Sequence, residues 1–272
     1  MLRAENICVS FVKENQKSFF GKERQEVVKN VSLHLKKGEC LGIIGESGSG
    51  KSTLGKVLIG LLKADRGNVY INGVDIHFDP SKEKRKSVRQ SISVVFQDYT
   101  SSANPRFRVK DIINEALMVK KRRKGSGGDS REEIIKLLEM VGLDERYIDR
   151  YPHELSGGQL QRVCIARAVA TEPEMILLDE AISSLDASTQ TQVMDLLKKL
   201  QRDFGFSYIF ITHDLPSVTY MCDRVIFFYE GKIVEQIDSI YDLSQVKNSY
   251  AARLLHSVLE IDVKSEEHIE HG

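Results

Sequence analysis

The sequence has no surplus of charge of either sign: 39 lysines and arginines meet 39 aspartates and glutamates over 272 residues. No global field therefore draws the chain toward nucleic acid or acidic lipid. Cysteine is scarce, with four residues at positions 8, 40, 164 and 222 that form no C-x-x-C pair. Neither a zinc site nor a disulfide framework is suggested, and a reducing cytosol is the simplest compartment. No window approaches the eighteen or so apolar residues that span a bilayer, and residues 1–6 lack the charged, apolar, small-residue order of a signal peptide. If the protein works at a membrane, another chain is expected to hold it there.

What is present is a phosphate-binding pattern. Gly45-Glu46-Ser47-Gly48-Ser49-Gly50-Lys51-Ser52 fits G-x-x-x-x-G-K-[ST], with the apolar strand 40–44 before it and helical spacing over residues 53–62 after it. It is a P-loop. The glycines permit backbone angles and close approaches that a side chain forbids, so successive N–H groups can turn inward toward phosphate oxygens. The following helix adds its positive N-terminal end, beginning near Thr53. Lys51 supplies a mobile charge for the outer phosphates, and the Ser52 hydroxyl suits a bridging magnesium ion.

Taken in order, residues 2–11 alternate as a strand, 13–25 read as an extended hairpin or loop, and 27–35 resume strand character. Residues 68–71 form a short strand before the hairpin signal Asn72-Gly73, and 81–89 an exposed helix leading to the strand 92–96. Amphipathic helices are expected over 109–119 and 131–141. The lysine- and arginine-rich stretch 120–129 between them reads as a solvated loop, with a basic binding patch as the lesser alternative. Leu155-Ser156-Gly157-Gly158-Gln159 opens a second helix, over 160–170, with the composition of an anion site. The continuous apolar run 175–178 then ends in Asp179 and Glu180, a buried parallel strand with two carboxylates where open α/β sheets place their chemistry. A helix over 188–204, a strand over 208–211 with Thr212-His213-Asp214 following at its end, and a hairpin over 225–236 close the alternation. The expected fold is α/β: a P-loop NTPase core with a mainly parallel sheet, an N-terminal antiparallel portion and an inserted α-helical subdomain.

Residues 45–52, Gln97 after a strand, residues 155–159, residues 175–180, Ser184-Leu185-Asp186 and His213 resemble, in order, the Walker A, Q-loop, signature, Walker B, D-loop and H-loop of the ATP-binding cassette family. The resemblance covers about residues 2–245. Val95-Phe96-Gln97-Asp98, Asn104-Pro105-Arg106, Tyr151-Pro152-His153-Glu154 and the Asn248-Ser249-Tyr250 tail are similar to the peptide and nickel importer branch. Arg162-Val163-Cys164, Asp179-Glu180-Ala181 and Phe210-Ile211-Thr212-His213-Asp214-Leu215 resemble the second of the two nickel-import ATPase subunits more than the dipeptide ones. Ala181-Ile182 stands where many cassettes have proline and threonine, and Phe11 where an adenine-stacking tyrosine is frequent, with Phe19 or Phe20 as alternatives.

The resemblance implies a core of residues 1–97 and 161–245, a helical subdomain of 98–160 and a tail of 246–272. It implies head-to-tail dimerisation, with ATP held between the P-loop of one cassette and Ser156, Gly157, Gly158 and Gln159 of the other. Glu180 would activate water, Asp179 and Ser52 would hold Mg2+, His213 would contact the γ-phosphate, Gln97 would sense magnesium or water, and Asp186 would line the interface. The implied partners are a second cassette in a heterodimer, two transmembrane permease subunits and an extracytoplasmic substrate-binding protein, with the chain at the cytoplasmic face of the cell membrane and nickel or a nickel chelate as cargo, a di- or oligopeptide being the alternative. The tail Glu266-Glu267-His268-Ile269-Glu270-His271 invites a metal reading but has the composition of a disordered end.

Overall fold

The computed structural model describes residues 1–12, 23–98, 102–124 and 131–256. Phe19, Phe20, residues 13–22 of the expected hairpin, residues 125–129 of the basic loop and the histidine-bearing tail lie outside the described residues.

Strands β1 (Leu2–Val12), β2 (Arg24–Leu35), β4 (Arg66–Ile71) and β5 (Val74–Asp75) form an antiparallel sheet in the order β2-β1-β4-β5. Strands β3 (Cys40–Ile44), β6 (Ile92–Phe96), β7 (Met175–Asp179), β8 (Ser207–Thr212), β9 (Arg224–Tyr229) and β10 (Lys232–Ile237) form a second sheet in the order β10-β9-β3-β8-β7-β6. Its neighbours are parallel except at the β9–β10 hairpin. The fold is that of a P-loop NTPase with an antiparallel N-terminal sheet and helical parts.

Every residue of β3, β7 and β8 is buried, because helices or the first sheet cover both faces. Alternation of side chains along each strand sends residues to two different cores. Cys40, Ile44, Ile176, Leu178, Tyr208 and Phe210 face one that also takes in helices α5 (Gly157–Ala170), α6 (Ala187–Phe204) and α7 (Leu215–Met221). Leu41, Ile43, Leu177, Ile209 and Ile211 face the other, with helix α1 (Lys51–Leu58) and strands β1 and β2. An apolar run that reads as unpatterned in one dimension is therefore a period of two shared between two cores.

Helix α2 (Lys82–Gln90) is largely exposed and starts at Ser81, whose hydroxyl accepts from the Lys84 N–H. Helices α3 (Val109–Lys124) and α4 (Arg131–Met140) pack on α5 and extend the first core through Ile113, Leu117, Leu138 and Val163.

Three local expectations change. The basic residues 120–124 belong to α3 and not to a loop. Lys120 and Arg123 lie on one face, three residues apart; Lys120 pairs with Glu133 and Glu172, and Arg123 donates to the Gln90 and Thr171 carbonyls. Arg24 and Gln25 extend β2. Helix α7 has no counterpart in the sequence reading, although the Asp214 carboxylate caps it and a proline lies in its first turn.

Candidate active site

Residues 45–50 leave the carboxyl end of β3 and turn into α1. At Gly45 an added Cβ would sit 2.0 Å from the Phe228 carbonyl oxygen, so the loop passes β9 more closely than any side chain allows. Gly50 has φ 105° and would place a Cβ 2.6 Å from the Val27 oxygen. Lys51 is buried; its ammonium donates to the carbonyl oxygens of Gly45 and Glu46, at 2.7 Å each. Burial lowers its pKa, opposed by the charges of Glu180, Asp179 and Glu46. The Ser49 hydroxyl is buried with no hydrogen-bond partner. A glycine loop, a buried cation and an orphaned hydroxyl at one helix N-terminus fit the outer phosphates of a nucleotide.

The strands bring the remaining candidates to the same edge. Phe96, Asp179 and Ile211 are register partners across β6, β7 and β8, and Ile44 of β3 pairs with Thr212. Gln97, Glu180, His213 and the P-loop therefore all follow the carboxyl ends of adjacent parallel strands, where such sheets hold ligands.

The Ser52 hydroxyl donates to Asp179 Oδ1 at 2.8 Å. Burial, with the neighbouring Glu180 charge, raises the Asp179 pKa against the pull of Ser52, Lys56 and Lys51. A hydroxyl and a carboxylate are hard oxygen donors, the kind that magnesium takes.

Glu180 has φ 49°, uncommon for a residue with a Cβ. It is held there by its N–H donating to the Ile211 oxygen at 2.8 Å and by its carbonyl accepting from the Ser183 hydroxyl at 2.9 Å. The turn aims the carboxylate at the histidine: Glu180 Oε1 lies 3.7 Å from His213 Nδ1, with 13% and 51% of the two side chains exposed. Gln97 is exposed at the end of β6.

The second helix start is not brought to the first. Among the described residues no hydrogen bond joins 155–159 to 45–52. The Ser156 hydroxyl accepts from the Gln159 N–H, the Gln159 side chain accepts from the Ser156 N–H, and the Gln159 amide donates to the Tyr147 hydroxyl. A Cβ on Gly158 would lie 2.5 Å from Thr189 Cγ2, so α5 and α6 meet closely at this point. Asp186 caps α6, accepting from the N–H and hydroxyl of Thr189. Phe11 is 45% exposed and belongs to neither core.

Two residues beside the site escaped the sequence reading. Gln161 is fully buried in α5 and its amide donates to the Ala181 carbonyl, just past Glu180; a glutamine among alanines and valines was the available signal. Tyr250, noticed only within a tail motif, accepts a hydrogen bond from the P-loop.

The ABC transporter family model matches residues 28–183. The metal-staphylopine import system ATP-binding protein CntF of Staphylococcus aureus is 46% identical over 244 residues, covering 88% of this chain and 93% of that protein. The oligopeptide transport ATP-binding protein OppF of Bacillus subtilis is 45% identical over 219 residues, covering 80% and 72%. Among solved structures, the dimeric ATP-binding cassette MJ0796 bound to ADP and Pi superposes with a TM-score of 0.73 at 30% identity, covering 87% of this chain and 97% of that one. The cbiO1 subunit of Clostridium perfringens, from the cbiONQ transporter complex, does so with a TM-score of 0.72 at 26% identity, covering 100% and 98%. The chain therefore belongs to the ABC transporter family, as an ATPase of importer type.

Proposed function

We propose that this chain hydrolyses ATP within a head-to-tail pair of cassettes and so drives uptake of a metal chelate, with nickel as the metal. The chemistry rests on one observation, the convergence of Lys51, Ser52, Asp179, Glu180 and His213 at one sheet edge. The P-loop amides from Gly45 to Thr53 and the Lys51 ammonium bind the phosphates. Glu180 accepts the proton of the attacking water, held toward it by its constrained backbone, and His213 bridges Glu180 and the γ-phosphate. Bound Mg2+ would neutralise charge on the outer phosphates, with Ser52 and Asp179 as its protein ligands and Gln97 beside it.

Ser156, Gly157, Gly158 and Gln159 serve the nucleotide of the facing cassette, and Asp186 lines that interface. Self-capping of this helix start, away from its own chain's P-loop, supports that arrangement. In this reading residues 98–160 form the helical subdomain between a core of 1–97 and 161–245, residues 246–272 are a tail, and Phe11 stacks on adenine. The partner cassette differs in sequence, two permeases carry the cargo path, a substrate-binding protein delivers cargo from outside, and no nucleic acid is involved. The chain sits peripherally at the cytoplasmic face of the cell membrane; no helix among the described residues is long and apolar enough to cross it.

The metal reading draws on the relative named for metal-staphylopine import and on the sequence resemblance to the second nickel subunit. Oligopeptide uptake is the second reading, favoured by the relative named for oligopeptide transport at nearly the same identity. Uptake of radioactive nickel, alone and with a chelator, by cells with and without the gene decides between them when labelled peptide is run in parallel. Loss of peptide uptake alone would sink the metal reading.

A further inference from the structure

The P-loop is braced from outside by two later parts of the chain. The Gly231 N–H, in the β9–β10 turn, donates to the Ser49 carbonyl at 3.0 Å. At the start of the loop the Glu46 N–H donates to the Tyr250 hydroxyl at 2.9 Å. Tyr250 is only 4% exposed, and its ring centroid lies 4.2 Å from that of Tyr229, the last residue of β9. Its backbone is anchored in turn. The Glu235 carboxylate on β10 accepts from the N–H groups of Lys247 and Asn248, and Asn248 Oδ1 accepts from the Tyr250 N–H at 2.9 Å. Hydrogen bonds therefore run from β10 through Asn248 and Tyr250 to the phosphate loop.

The bond to Glu46 falls on a particular peptide group. A peptide is planar, so fixing the direction of its N–H fixes the direction of its C=O. The C=O of the peptide whose N–H meets Tyr250 is that of Gly45, and this oxygen accepts from the Lys51 ammonium at 2.7 Å. One rigid unit thus carries the tyrosine on one edge and the lysine on the other. We infer that Tyr250 is a positioning residue for ATP: through the Gly45–Glu46 peptide it sets where Lys51 stands, and it makes nucleotide affinity depend on the segment after β10. This rests on Lys51 being a phosphate ligand.

The test uses the full chain and a non-hydrolysable ATP analogue with Mg2+, comparing Tyr250→Phe, Tyr229→Leu and Lys51→Ala by equilibrium titration and by melting without nucleotide. Tyr250→Phe keeps the ring and removes only the acceptor. It is expected to weaken analogue binding about fivefold or more, with melting close to wild type. In turnover it raises KM for ATP and leaves kcat within about twofold, because Glu180 and His213 stand on other strands. Tyr229→Leu removes the ring packed on Tyr250, together with the Tyr229 side chain's hydrogen bond to Glu230, but leaves the Glu46–Tyr250 bond its partners, and is expected to lower melting more than affinity. Unchanged affinity in Tyr250→Phe overturns the proposal. So does a loss of affinity that tracks the loss of melting temperature across both tyrosine variants, which marks Tyr250 as a packing strut. Wild-type affinity in Lys51→Ala would instead sink the reading of the loop, whatever Tyr250→Phe does.

Discussion

Glu180 and His213 face each other across 3.7 Å from the ends of neighbouring strands, and Glu180 holds a left-handed backbone to do so. Such strain persists only where surrounding hydrogen bonds impose it, here those to Ile211 and Ser183. Glu180→Gln keeps the shape and the hydrogen bonds but cannot take a proton. Steady-state phosphate release is expected to fall about a hundredfold or more while ATP binding is retained. Equal turnover in both proteins would remove Glu180 from its role.

Asp179 gives a pH signature. Burial, then the adjacent Glu180, raise its pKa above the ordinary 3.8. The folded carboxyl holds its proton more tightly than the unfolded one, so its contribution to stability is full below the unfolded pKa and is lost as pH rises through the folded value. At neutral pH the ionised group is a net cost. Asp179→Asn, still able to accept from Ser52, is expected to melt about 2 °C or more above wild type at neutral pH without nucleotide. The gap should close as pH falls toward the ordinary aspartate range, and its sign across a pH series of melting curves is the check. Turnover should fall in the same variant.

Gly158 lets the start of α5 pack closely on Thr189 of α6. A valine there would meet the Thr189 methyl group, already only 2.5 Å from the position of a Cβ. The variant is expected to lose about 1–3 kcal/mol of stability by denaturant titration. Turnover should drop about tenfold or more through the displaced caps at Ser156 and Asp186, while ATP affinity of the isolated chain stays within about twofold. An equal loss in affinity would mean that one chain's signature helix serves its own P-loop.

Arg224 and Glu39 form an ion pair at 2.9 Å with 1% and 9% of the residues exposed, tying β9 to the turn before β3. Burial pushes the Glu39 pKa up, but the Arg224 hydrogen bond and charge, with the Lys36 N–H, outweigh it and hold the value below the ordinary 4.5. Stability from this carboxylate is present above the unfolded pKa and lost as pH falls through the folded one. Glu39→Ala leaves the buried Arg224 guanidinium with the His34 carbonyl and the exposed Asp238 carboxylate as its remaining partners, and is expected to cost about 3 kcal/mol near neutral pH in urea titration. The difference from wild type should narrow in acid, below the ordinary glutamate range.

Much of the site could be read from local chemistry. A run of eight residues carries the P-loop, since its glycines, lysine and serine act on one ligand through adjacent backbone. Asp179 and Glu180 were legible because a continuous apolar run can be buried on both faces only as an interior strand, so polar residues after it stand at the sheet's edge. The end of α3 was missed because charged residues after an amphipathic stretch look like solvated loop. Lys120 and Arg123 sit on the helix with partners, Glu133, Glu172 and three carbonyls, that the sequence does not place nearby.

The sequence by itself determined most of the elements, their order and the kind of ligand the loop suits, because glycine torsions, apolar periodicity and the reach of a lysine are properties of short segments. Tertiary structure alone decided which residues meet. Ser52 reaches Asp179 across 127 positions because β3, β8 and β7 end at one level. Tyr250 reaches Glu46 across 204 because β10 and Asn248 turn the chain back onto the loop. Those distances follow from strand register and from cores that seal both faces of one sheet, and long-range packing of that kind leaves no mark in any short stretch of residues.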